Sequence, residues 1–208
     1  MKYIKVILIV LTVLVIIAGS GLALYKYMDT PKTNEEVLDY LKDIDGYSSD
    51  VTMEYKNSRQ TSKDKCKQFY LKNYGYRVEI NGERVLLFNK EKLIVNNLKT
   101  GHSFETSKEF DEIYRYTFFK DFINLLYTEQ EIRTSIVKEG TKEYIKLSLI
   151  MLRNNNNINS GDLFIDNDSL VPYKLVIYNN KGEITLTAKY DNFVINKEVD
   201  KNLFIVGR

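Results

Sequence analysis

The stretch 161–196 reads GDLFIDNDSLVPYKLVIYNNKGEITLTAKYDNFVIN. Three runs rich in Leu, Ile, Val, Thr and Tyr are parted by turn formers, Asn167-Asp168 and Gly182. Each run is too short for a typical helix, and its β-branched and aromatic content suits a pleated, half-buried surface. The spacing predicts strands over Asp162–Ile165, Pro172–Tyr178 and Glu183–Tyr190. With turns this close together the strands pair antiparallel, because parallel pairing needs a crossover of a dozen or more residues.

Working backwards, the same grammar continues. Strands are expected over Arg133–Lys138 and Glu143–Leu152, with turns at Gly140 and Gly161. Earlier, Tyr47, Val51, Met53 and Tyr55 lie on alternate positions, with Ser49 as the one polar member. Cys66–Tyr74 is Tyr- and Phe-rich, and Tyr76, Val78 and Ile80 alternate. Asn81-Gly82 predicts a hairpin turn, since both residues tolerate the positive φ of type I′. Arg84–Asn89, Leu93–Leu98 and His102–Thr106 follow, the last after a turn at Thr100-Gly101.

Two segments break this pattern. Thr33 with Glu36 three residues later forms a capping box, and Val37, Leu38, Leu41 and Ile44 repeat at helical spacing. A helix is predicted over 34–45, stopped by Gly46. Residues 108–128, KEFDEIYRYTFFKDFINLLYT, hold no Gly or Pro, and Ser107 is placed to cap them. Phe110, Tyr114, Phe118, Phe122 and Leu126 step by four, and Ile113, Phe119, Ile123 and Leu125 widen the apolar face. A helix so apolar on most sides is expected deep in the molecule, inside a curved sheet.

The amino-terminal segment is of another kind. Lys2 and Lys5 precede an uncharged run, Val6–Leu24, and Tyr25 and Tyr27 follow it. About 19 helical residues span about 28 Å, close to a bilayer core and longer than a signal-peptide apolar region. Residues 1–28 are therefore read as a membrane anchor, N-terminus inside, with 29–208 as one extracytoplasmic domain. Within the run, Ile17-Ala18-Gly19-Ser20 imitates a lipobox with serine where the lipidated cysteine would stand. A hydroxyl is a far weaker nucleophile than a thiolate, so Ser20 is not expected to carry lipid. Cleavage after a small-x-small site, and descent from a lipoprotein, stay open as alternatives.

Composition narrows the chemistry. The chain has 208 residues, a formal charge of +2, one Cys and one His. Near-neutrality gives no electrostatic footprint for nucleic acid. Cys66 has no partner for an internal disulfide and is expected as a buried small hydrophobe. His102 sits in a predicted turn, a poor place for a triad. One His and one Cys make thin material for zinc. Asp162, Asp166 and Asp168 lack the glycine and distal glutamate of a calcium loop, and 154–157 is an exposed Asn tract. Neither a phosphate loop nor a dinucleotide glycine pattern is present. No catalytic residue, metal or cofactor is assigned, and a binding protein is expected rather than an enzyme.

The order of elements carries a resemblance. A capped helix runs into VLDYLKDIDGYSSDVTMEYK, a meander follows, then an aromatic helix, then the stretch quoted first. This resembles the LolA-like superfamily over about residues 33–205. It implies an α+β fold, an unclosed antiparallel β-barrel wrapped over helices. Within it, VIYNNKG and YDNFVIN, the leader and the Lys- and Asn-rich composition resemble the GerS germination lipoproteins of clostridial spore formers. That likeness implies a sporulation protein in the spore envelope whose partner is a CwlD-like N-acetylmuramoyl-L-alanine amidase, which marks the cortex for lysis. It fixes no interface residues. The alternative is a lipid or lipoprotein carrier with an apolar cavity. Open sheet edges would also allow a homodimer.

Overall fold

A computed structural model describes residues 12, 33–56, 60–89, 92–126, 133–151, 157–195 and 198–205. The chain divides into two compact units, 1–37 and 38–208. Apart from Thr12, the predicted membrane run lies outside the described residues, as do Lys2, Lys5, Ser20, Tyr25 and Tyr27. Among the described residues no helix is long and apolar enough to cross a membrane.

Helix α1 spans Asn34–Lys42. Its capping box is formed in both directions: the Glu36 amide donates to Thr33 Oγ1 and the Thr33 amide to Glu36 Oε2, each at 3.2 Å. The helix stops three residues short of the predicted end. Gly46 is not its terminator but the first residue of strand β1, opposite Leu71. The Asp45 carbonyl is already taken by the Lys72 amide at 2.7 Å, so sheet pairing wins the chain from the helix.

Eleven strands make one antiparallel sheet: β1 (Gly46–Lys56), β2 (Thr61–Leu71), β3 (Gly75–Ile80), β4 (Arg84–Phe88), β5 (Leu93–Asn97), β6 (Ser103–Thr106), β7 (Arg133–Glu139), β8 (Lys142–Ile150), β9 (Ser160–Asp166), β10 (Pro172–Tyr178) and β11 (Ile184–Ile195). Their spatial order is β6-β5-β4-β3-β2-β1-β11-β10-β9-β8-β7. Two meanders therefore meet where the first strand pairs the last, Val51 opposite Tyr190 and Met53 opposite Ala188. The sheet does not close, and β6 and β7 are its edges. Asn81 and Gly82 both have positive φ, and the Glu83 amide closes their turn onto the Ile80 carbonyl at 2.9 Å.

Gly161 is a correction. It is not a turn but lies inside β9, opposite Leu149 and Ile177. A Cβ there would stand 2.8 Å from Cε2 of Phe122, so glycine is where the sheet admits a ring from the helices.

The predicted helix 108–128 is also corrected. Residues 108–111 are turn, and two short helices follow: α2 (Glu112–Tyr116, 5 residues) and α3 (Phe119–Leu126, 8 residues). Ser107 caps neither; Asp111, left-handed at φ 53°, precedes α2. This leaves the fold mostly β with a few short helices, not α+β. The aromatic face is buried as expected: Phe118, Phe119, Phe122 and Ile123 are nearly inaccessible. Phe118 meets Tyr76 and Phe88, while Phe119 meets Tyr47 and Phe193. Each such side chain removed from water contributes about 1.5–3 kcal/mol. On the opposite face Tyr144, Phe164 and Val176 form a satellite cluster. Lys174 lies over Phe164, its Nζ 4.4 Å from the ring centre.

Candidate interaction surface

The break between α2 and α3 is held by a buried polar network that the sequence did not announce. Thr117 donates its hydroxyl to the Tyr114 carbonyl at 2.6 Å. Gln68 Nε2 donates to Thr117 Oγ1, and the Tyr190 hydroxyl donates to the Thr117 carbonyl. Beside them Tyr76 donates to Asp121 Oδ1 at 2.6 Å, and Arg115 Nε reaches Asp121 Oδ2 at 2.7 Å. Burial, then Asp121, pushes the Tyr76 hydroxyl far above its ordinary value. Burial does the same to Tyr47 and Tyr190. Tyr47 Oη and Gln68 Oε1 have no hydrogen-bond partner among the described residues. Lys120 turns inward to cap α1, donating to the Leu41 carbonyl at 3.2 Å and to the Lys42 carbonyl. Burial lowers its amine to about 8 against the pull of Asp43 and Asp45. Apart from the unpartnered Tyr47 Oη and Gln68 Oε1, the donors and acceptors named here serve packing or a helix end.

The residues singled out for chemistry do not converge. His102 is exposed in the turn before β6, its ring 6.0 Å from that of Phe104. Cys66 is buried on β2, where burial and the neighbouring Asp64 push the thiol up to about 12, against the pull of Arg84. Asp162 accepts from Ser148 at 2.6 Å and from Tyr178 at 3.2 Å. Asp166 folds its own turn. Burial alone would raise its carboxyl, but bonds from Ser169 and the Asp168 amide hold it below its ordinary value. Asp168 is exposed. Residues 154–156 of the Asn tract lie outside the described residues, and Asn157 is exposed. Among the described residues no three His, Cys, Asp or Glu side chains are placed to hold a metal ion.

What the fold does present is edge. Among the described residues β6 pairs only with β5, and β7 only with β8. On β6, Phe104 is 40% exposed and meets Phe110 edge-on at 5.9 Å; Leu98 is exposed on the preceding turn. On β7, Ile136 is 60% exposed, although its cross-strand partner Ile145 is buried. Such edges offer unpaired N–H and C=O groups to an added strand. Tyr40 and Tyr74 are exposed as well, and so are Phe110 and, on β8 beside the β7 edge, Ile150.

A cavity of about 170 Å³ opens between α2 and the sheet. Its base is Tyr116, Ile158, Ile177 and Leu186, all buried; Glu109, Glu112, Tyr55 and Asn157 stand at its mouth.

The model of the family described as sporulation protein YdcC-like matches residues 4–204. The chain belongs to that family. No curated protein matches it by sequence. Among solved structures, this YdcC-like chain is similar to an uncharacterized conserved protein from Thermus thermophilus, at TM-score 0.56 and 13% identity over 85% of this chain and 96% of that one. The likeness shows a shared fold. The chain is also similar to a chain in the structure of the CwlD amidase from Clostridioides difficile in complex with the GerS lipoprotein, at TM-score 0.48 and 19% identity over 81% of this chain and 99% of that one. A LolA superfamily protein from Nitrosomonas europaea matches at TM-score 0.44 and 12% identity over 85% and 99%.

Proposed function

We propose that this YdcC-like chain is a non-catalytic sporulation protein that binds and regulates a CwlD-type cortex amidase at the outer face of a membrane. Membership of a sporulation family supports the setting. The GerS-like VIYNNKG and YDNFVIN stretches support the choice of partner. The observation that carries a binding role is the open sheet with two unpaired edges, each bearing exposed apolar side chains. An added strand would gain main-chain hydrogen bonds and cover Phe104 and Phe110, or Ile136. Strand β7 is the longer edge, seven residues against four, and so offers more ladder. The carrier reading would rest on the cavity under α2. At about 170 Å³ it is close to an engineered cavity of about 150 Å³ that holds benzene, and it is small for an acyl chain.

The test mixes the full chain with its cognate amidase and peptidoglycan and follows removal of the peptide side chains. Wild type, His102→Ala and Cys66→Ala are expected to stimulate alike. Ile136→Asp, on the exposed β7 edge, is expected to weaken stimulation without unfolding the chain, because the side chain already faces water. Cleavage by the chain alone that disappears in His102→Ala would establish a hydrolase instead. Absence of both binding and stimulation would remove the amidase as partner.

A further inference from the structure

The cavity under α2 has a polarity that neither the partner reading nor the carrier reading uses. Its buried lining is apolar or aromatic, Ile158, Ile177, Leu186 and the Tyr116 ring, with Thr185 the one other buried member. Its mouth carries two carboxylates, Glu109 and Glu112, and among the described residues no Lys or Arg lines it, although Lys108 and Arg115 lie close enough to act on Glu109. Arg115, the nearest cation along α2, is held by Asp121 at 2.7 Å. Hydrogen bonds from Ser107 and from its own backbone hold the Glu109 carboxyl below its ordinary value, so the mouth stays negative at neutral pH. Thr185, also on the wall, spends its hydroxyl on the Asn157 and Ile177 carbonyls and offers no donor to a guest.

Size and charge together define the guest. A space of about 170 Å³ holds a group of about benzene's size, four to six carbons, and not a lipid tail. The apolar end must receive the carbon part, which gains by leaving water. The two carboxylates then meet whatever sits one or two bonds behind it. An anion there would be repelled, and a neutral group would gain little. We propose that this cavity binds a short branched aliphatic group carrying an adjacent ammonium, the chemistry found at the amino terminus of a peptide that begins with Leu or Ile. A lysine side chain does not fit, because it would enter charge-first and leave its ammonium against Ile177 and Leu186. The inference stands apart from the amidase reading and survives its failure.

The test is a titration of the full chain, followed by the methyl resonances of Ile158, Ile177 and Leu186. Leucine amide and 3-methylbutylamine are compared with two matched probes, 3-methylbutanol and 4-methylpentanoate. The two amines are expected to shift these methyls and to bind at least about tenfold more tightly than the alcohol, which is about 1.4 kcal/mol. The carboxylate is expected not to bind. Glu109→Gln with Glu112→Gln, both at the mouth and partly or fully exposed, should bring the amines down to the level of the alcohol. Leucine amide binding more weakly than 3-methylbutylamine would give the site to simple amines rather than to peptide termini and overturn that part. Equal binding of amine and alcohol, tighter binding of the carboxylate, or no loss in the double Gln variant would overturn the whole. A methyl spectrum otherwise unchanged in the variant shows that it is folded.

Discussion

At single positions the structure converts composition into constraint. Gly161 shows it best. Alanine there would set a Cβ 2.8 Å from the Phe122 ring, which is itself buried and has little room to give. Overpacking of this kind costs about 1–3 kcal/mol. Gly161→Ala should lower the denaturation midpoint with an unchanged slope, and Phe122→Leu in the same chain should recover part of the loss. Additive losses would mean that the ring moves aside freely. The sequence marked this glycine as a turn because a lone glycine between polar residues usually is one; the helix ring that demands it lies 39 residues away in the chain and leaves no local trace. Cys66 was legible, by contrast, since a lone cysteine in a strand-like run is most often a small buried hydrophobe, and burial accounts for its raised thiol.

At the scale of elements, the strands were readable and the long helix was not. Turn chemistry at Asn81-Gly82, Gly140 and Gly182 is local and speaks directly through positive φ. The division of 108–128 is tertiary. Nothing in YRYTFFKDF forbids a continuous helix, but Gln68 from β2 and Tyr190 from β11 seize Thr117 from the sheet side. Tertiary hydrogen bonds override propensity there. Thr117→Val keeps the shape and removes the hydroxyl. It should cost about 1–3 kcal/mol, because Gln68 would keep a buried amide with neither end partnered. Gln68→Leu added to it should be cheaper than the sum of the single changes, as a double-mutant cycle would show. Phe118→Asp is expected to be far worse, since it leaves an unpaired charge where the side chain is wholly inaccessible. A thermal midpoint near wild type for Phe118→Asp would place that face in water.

Over the whole molecule, the meeting of β1 with β11 at mid-sheet puts both edges at the ends of the aromatic segment: the chain leaves β6, crosses through α2 and α3, and re-enters at β7. That crossing buries Lys120 and covers ionisable groups of the sheet beneath it, and the pH dependence of stability follows. Lys120 is lowered to about 8, so from there to its unfolded value near 10.4 the unfolded chain binds more protons and stability rises with pH. Cys66 is raised to about 12, so above its unfolded value near 8.5 the folded chain holds the extra proton and stability falls. The two opposite slopes, each up to about 1.4 kcal/mol per pH unit, nearly cancel between pH 8.5 and 10. Above 10 nothing offsets the tyrosines. Tyr47, Tyr76, Tyr114 and Tyr190 are all raised, chiefly by burial, so each keeps in the folded state a proton that the unfolded chain gives up. Stability measured by urea unfolding should therefore be nearly flat from pH 8.5 to 10 and then fall steeply. Cys66→Ala removes one of the balanced slopes, and in that variant stability should climb with pH up to about 10 before the same collapse. A variant that stays flat would mean that Lys120 keeps its charge at little cost, through the Leu41 and Lys42 carbonyls it caps.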